Sequence, residues 1–365
     1  MTHLITAYFD LLGINFLLPT KGSTKFYAVT VHALARNICL IIYQIHHDIL
    51  GGIDSLDNDY KKIRNKVHLH QKKNNIKVYN EISSYHMETF GSDIDNIGFY
   101  LDGKVLAGST VYPTYLFYDT TFYSSGSIEA TGRSIRHFYE KTGQLSVDLM
   151  VKINELANEE LPFFKQSSLF YDEDTSYRLK DTHWDLVYSN DQTQNVFTTR
   201  LLLITQEATS CIWLGNALQS EQNLGWYNNY ILLRFISISM DEIMDNLMNM
   251  KQHMTLYFDM LDMHSNGRVS FLIDQYCKGI QKECQTLRNM LHYDKNGENY
   301  WDYFHNKLYN QPGYVEIIIN SILNEYLVPI RKIISNYLDV DNKRSMSDLE
   351  KIMVRLRGRI MGNLR

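Results

Sequence analysis

Two short segments of this chain repeat one pattern of reactive side chains. Ile63 to His70 reads IRNKVHLH and Leu287 to Tyr293 reads LRNMLHY, so Arg64, Asn65 and His68 recur as Arg288, Asn289 and His292. On a helix, an arginine and a histidine at positions i and i+4 share one face, which brings a cation and an imidazole to the same phosphate. Such groups suit proton transfer and charge stabilisation at a phosphate. Histidine and arginine fit those jobs.

The elements that must position these residues read as three stretches. Residues 1–75 form an N-terminal helical segment with the first copy. Within it, Lys25 to Leu50 carries an apolar helical stripe and Gly51-Gly52 is a stop signal. Ser55 or Asp57 caps a next helix that runs through Tyr60 and Ile63 and ends near Lys72 to Asn75. Residues 76–225 are a mixed α/β middle region. There Asp102-Gly103, between Ile97–Leu101 and Lys104–Ala107, predicts a hairpin. Tyr115 to Lys141 and Ser146 to Glu160 return to helical composition, the second ending at Pro162. Phe170 to Gln206 shows no usable periodicity. Residues 226–365 read as a C-terminal helical bundle with the second copy. Its helices are Ile231–Met250, Met254–Met263, Val269–His292, Tyr314–Leu338 and Ser347–Met361, and Ser347 with Glu350 makes a capping box for the last. The predicted fold class is mainly α, a helical bundle with a small β-hairpin insertion.

Arg-Asn followed by His at the end of a bundle helix resembles the HEPN (higher eukaryote and prokaryote nucleotide-binding) domains, over residues 226–365 and more loosely over 1–75. The resemblance implies a HEPN-like fold and a metal-independent endoribonuclease of a bacterial antiviral defence or toxin system, with RNA as partner and no cofactor. In the family two motifs meet across a dimer to form one site. Two copies in one chain allow that within a monomer, or again in a homodimer. On this resemblance Arg64 and Arg288 hold phosphate, His68 and His292 transfer protons, and Asn65 and Asn289 orient the site. The family leaves four to six residues between arginine and histidine, whereas both copies here leave three. His70, with five between, restores that spacing at the first copy, but beyond the second copy the next histidine is His305.

Other readings compete. The same fold serves as a non-catalytic scaffold binding RNA, nucleotide or a partner protein if each Arg and Asn merely caps a helix and each His packs in a core. His46-His47-Asp48 looks somewhat like the dyad of HD-type metal phosphohydrolases, with His32 as upstream ligand and Asp54 or Asp57 downstream. Asp294-Lys-Asn-Gly297 and Asp339 to Glu350 are set aside as calcium loops, because glycine or ligand positions are wrong. No glycine-rich phosphate loop or nucleophile elbow appears. Trp184, Trp213, Trp226 and Trp301 read as core.

Composition bounds the remainder. A chain of 365 residues with 44% hydrophobic and 13% aromatic content buries a sizeable core. The net charge of −5 argues against a globally basic nucleic-acid coat. The segment Lys351 to Arg365, with Arg355, Arg357 and Arg359 among apolar residues, reads as an amphipathic helix with a solvated basic face. Cys39, Cys211, Cys277 and Cys284 have no CxxC or zinc-like spacing and are expected as reduced, buried thiols. The N-terminal apolar stretch lacks a basic region and is broken by Asp10, no apolar run reaches membrane-spanning length, and a cytoplasmic location is expected.

Overall fold

Apolar residues recur at helical spacing through most of the chain, and these runs become helices around one sheet of three short strands. The computed structural model describes residues 1–18, 27–52, 56–66, 76–90, 96–123, 128–158, 160–161, 177–220, 225–293 and 296–347. Helix α1 spans Thr2–Leu17. The single helix expected over Lys25 to Leu50 is divided: α2 (Tyr27–Thr30) meets a tight turn, and α3 (Leu34–Gln44) restarts after it. In that turn the Leu34 and Ala35 N–H groups bond to carbonyls three residues back, at 2.9 and 3.2 Å. The β-branched run Val29-Thr30-Val31 disfavours an unbroken helix here. The chain leaves α3 through a wide π turn, Ile45–Ile49, and stops at Gly51 and Gly52, both at positive φ. Helix α4 (Asn58–Arg64) is capped by the Asp57 carboxylate, which accepts the Asp59 N–H at 3.0 Å, and Asn65 is its C-cap. Its expected continuation toward Lys72 to Asn75 lies outside the described residues.

After α5 (Ile76–Phe90) comes the hairpin that Asp102-Gly103 predicts: β1 (Asn96–Asp102) and β2 (Val105–Ser109), with Gly103 at φ 59°, where a side chain would be strained. Asp102 faces Val105 and Phe99 faces Ser109, with a register shift between Tyr100 and Leu101. Beyond α6 (Val111–Phe117), one helix α7 (Ile128–Ala157) replaces parts of the two expected over Tyr115 to Lys141 and Ser146 to Glu160. Its mid-helix hydroxyls are absorbed locally: Thr142 and Ser146 donate to the carbonyls of Phe138 and Thr142 at 2.7 and 2.9 Å. A third strand, β3 (Arg178–His183), pairs antiparallel to the free edge of β1 and sets Asn96 opposite His183, giving the order β2-β1-β3.

Helices α8 (Gln192–Ser220) and α9 (Gly225–His253) pack along each other at the centre. Both bury charged groups that pair across helices. Arg36 of α3 donates to Glu207 of α8 at 2.8 Å and also pairs with Glu242 of α9. Next come α10 (Thr255–His264), α11 (Arg268–Lys278), α12 (Gln281–Asn289), α13 (Tyr300–Asn310) and α14 (Tyr314–Asn320). The expected helix Val269 to His292 is thus split at Gly279-Ile280. A second π turn, Ser321–Leu327, carries α14 into α15 (Val328–Leu338). Residues 348–365, with the basic segment, lie outside the described residues. One apolar cluster runs from Leu4 to Val340 and draws on all three stretches of the sequence. Cys39, Cys211 and Cys284 are buried, but Cys277 is exposed, its Sγ 3.7 Å from Met248 Sδ at the surface of α11. No described helix is long and apolar enough to cross a membrane.

Candidate functional site

The second Arg-Asn-x-x-His copy ends α12, and a buried ion pair fixes the turn that follows. Arg234 of α9 donates through Nε and Nη2 to Asp10 Oδ2 of α1, at 3.1 and 2.7 Å. The same guanidinium reaches the carbonyls of Leu287 and Met290 at 3.4 and 3.3 Å, acceptors that a helix end leaves without intrahelical partners. Tyr293 then donates its hydroxyl to Asp10 Oδ2 at 2.7 Å, and Tyr230 donates to Oδ1 at 3.0 Å. Burial, reinforced by the Asp10 charge, pushes the Tyr293 phenol well above its ordinary value, so it stays a donor. With residues 287, 290 and 293 pinned inward, His292 is the residue of the turn that faces solvent.

There it meets the other histidine motif. The π turn after α3 buries His46 and turns His47 outward, with Asp48 beside it. His47 Nδ1 lies 2.7 Å from Asp48 Oδ1, and His292 Nδ1 lies 3.8 Å from Asp48 Oδ2. Gln44, one turn earlier, sits between the elements: its Nε2 is 3.1 Å from Asp48 Oδ2 and 2.9 Å from His292 Nδ1. The Tyr293 N–H also donates to Asp48 Oδ2, at 3.3 Å. The two imidazoles are 66% and 71% exposed for His47 and His292, whereas the carboxylate they share is 18% exposed. Two solvent-facing imidazoles are thus anchored through Nδ1 on one polar platform. Tyr43 stacks on the His47 ring with centroids 6.1 Å apart, and the Arg64 guanidinium covers Tyr43 at 4.1 Å from its centroid. Arg64 therefore adjoins the platform through Tyr43, and its Nε is buried without a hydrogen-bond partner among the described residues.

Arg288 turns away from His292 to the carboxylates of α9, pairing with Asp241 and lying 3.5 Å from Asp245. Tyr276 donates to the same Asp241 at 2.9 Å. Burial and the neighbouring Asp241 charge raise Asp245 to about 6, opposed by Arg288. Asn65 is half-buried at the end of α4 and Asn289 is exposed at the end of α12. His68 and His70 lie outside the described residues, as does Asp54. Of the ligands considered for an HD-type site, His32 is buried with its ring stacked on Tyr139, and Asp57 pairs with Lys141 at 2.6 Å. Among the described residues, no three His, Cys, Asp or Glu side chains gather where they would hold a metal ion.

The sequence marked His47-Asp48 and His292 as parts of different motifs and gave no sign that they meet. Gln44, Tyr43 and Tyr293 carried no signal, since a glutamine or tyrosine in an apolar helical run has no motif of its own. Comparison of the chain with family models, curated proteins and solved structures finds no match to any of them.

Proposed function

We propose that this chain is a metal-independent ribonuclease in which His292 and His47 form the acid–base pair, Asp48 holds His47 directly and His292 through Gln44, and Arg64 supplies the nearby cation. The observation that carries the proposal is the convergence of two exposed imidazoles, from residues 47 and 292, on the two oxygens of one carboxylate. Proton transfer to and from a phosphodiester needs one group to take a proton and another to give one on the same stretch of surface. Both Nε2 atoms are available for that, because Nδ1 of each ring is already occupied on the protein side. RNA supplies its own nucleophile in the 2′-hydroxyl, which removes the need for an activated water or metal. The HEPN resemblance supports the same chemistry and the bacterial defence or toxin setting. It assigns the second imidazole to His68 or His70, which lie outside the described residues; our reading takes His47, which shares Asp48 with His292.

The test is cleavage of total RNA in EDTA by wild type, His292→Ala, His47→Ala and Arg288→Ala. Each histidine variant is expected to lose about 100-fold or more. Arg288→Ala is expected to lose less, since its guanidinium is held by Asp241 and Asp245. A folded wild type that cuts no RNA moves the reading to the helical RNA- or protein-binding scaffold.

A further inference from the structure

We infer that Gln44 is a positioning residue that fixes opposite tautomers on the two neutral imidazoles, so that of the two rings His47 presents the unprotonated Nε2 that takes a proton. The inference rests on the ribonuclease reading and adds the division of labour within it. Gln44 Nε2 lies 3.1 Å from Asp48 Oδ2 and 2.9 Å from His292 Nδ1. Only the amide nitrogen, with its two protons, satisfies both neighbours. Turned the other way, the amide oxygen would face a carboxylate oxygen with no proton between them. One Gln44 proton therefore goes to Asp48 and the other to His292, whose Nδ1 must present its lone pair. The ring proton of neutral His292 is left on Nε2, which faces solvent.

His47 is held the opposite way. Its Nδ1 is 2.7 Å from Asp48 Oδ1, an acceptor only, so Nδ1 carries the proton and Nε2 offers a lone pair. Asp48 is ringed by donors, with His47 on Oδ1 and both Gln44 and the Tyr293 N–H on Oδ2. In the reaction, His47 Nε2 takes the 2′-hydroxyl proton while the 2′-oxygen bonds to phosphorus. The bond from phosphorus to the 5′-oxygen breaks, and Nε2 of protonated His292 gives its proton to that oxygen. Protonated His292 also bears a proton on Nδ1, so the Gln44 amide turns away from it, and that N–H keeps its proton and points to Asp48 Oδ2, 3.8 Å away. The products are a 2′,3′-cyclic phosphate and a 5′-hydroxyl.

The test reads the tautomers directly, by long-range nitrogen–proton NMR of the full chain at a pH where both rings are neutral. Signals are assigned by comparison with His47→Gln and His292→Gln. Wild type is expected to show His292 with Nδ1 unprotonated and Nε2 protonated, and His47 with the reverse. Gln44→Leu, which removes the donor to Nδ1, is expected to leave the His292 proton shared between Nδ1 and Nε2. A wild-type spectrum with the His292 proton on Nδ1 overturns the inference whatever the RNA assay gives, and needs no variant to fold. The expected spectrum in a wild type that cuts no RNA overturns the ribonuclease reading, and the proton roles with it, while the hold of Gln44 on the ring stands.

Discussion

Replacing Arg234 with methionine tests whether one buried ion pair holds both the fold and the His292 turn. The Arg234 and Asp10 side chains are 1% and 0% exposed. Without the guanidinium, the Asp10 carboxylate keeps, among the described residues, only the Tyr230 and Tyr293 hydroxyls as donors. Stranding one member of a buried pair costs about 3–5 kcal/mol. The carbonyls of Leu287 and Met290 also lose a donor, but at 3.4 and 3.3 Å those bonds are long and add about 1 kcal/mol at most. Tyr293→Phe is the graded control. It removes one hydrogen bond to a carboxylate that keeps two donors from Arg234 and one from Tyr230, a loss of about 1.5 kcal/mol. Urea titration of wild type and both variants, with midpoints compared at a common slope, gives the two differences. Arg234→Met costing under about 1 kcal/mol, or less than Tyr293→Phe, refutes the reasoning.

Three further outcomes follow from buried charge. Asp245 is raised to about 6, so between its unfolded and folded values the native protein holds a proton that the unfolded chain releases, and stability falls as pH rises across about 4 to 6. Asp245→Asn is expected to flatten that slope in pH-dependent urea unfolding. Lys66 is 0% exposed and lies 2.5 Å from Asp119, and burial lowers its value. Asp119→Ala is therefore expected to cost about 3 kcal/mol at neutral pH and to recover as pH rises into the range where the unfolded lysine still binds its proton; Lys66→Met is expected to stay within about 1 kcal/mol. His32 and His86 are both pushed down to about 3 by burial, so the unfolded chain takes up protons that the native protein refuses as pH falls below about 6.5. At pH 4.5 each is expected to cost about 2–3 kcal/mol, and His32→Phe, which keeps a ring against Phe117 and Tyr139, makes the acid limb shallower by that amount.

Local chemistry made part of this fold legible. Asp57 caps α4 and Asp102-Gly103 turns the hairpin because both act through their own backbone neighbours. Strand β3 stayed hidden because its pattern is inverted: Leu179 is 67% exposed while Lys180 and Thr182 are buried. Lys180 is carried inside by the carbonyls of Asp341 and Lys343, at 2.6 and 2.5 Å, partners far away in the chain. Helix α8 was unreadable for a related reason. It buries Arg200, Gln206 and Glu207 among apolar residues, so no polar face marks it as a helix. At the site, His47, Asp48 and His292 were each visible as reactive types. Their meeting depends on the Asp10–Arg234 pair, whose members come from α1 and α9 and lie in no motif.

The π turn at Ile45–Ile49 has a consequence for how such a platform arises and how it can be erased. A π turn is an α-helix with one residue inserted, and the surplus residue is accommodated by a local bulge while the helix on either side keeps its direction. Each residue of an α-helix advances the ring of side chains by roughly 100°. Deleting a single residue here would return the segment to α phase and swing His47 and Asp48 around the axis, away from His292, with α3 still packed on its neighbours. The platform is thus separable from the scaffold by one codon: a helix can gain it by insertion and lose it by deletion without rebuilding its core.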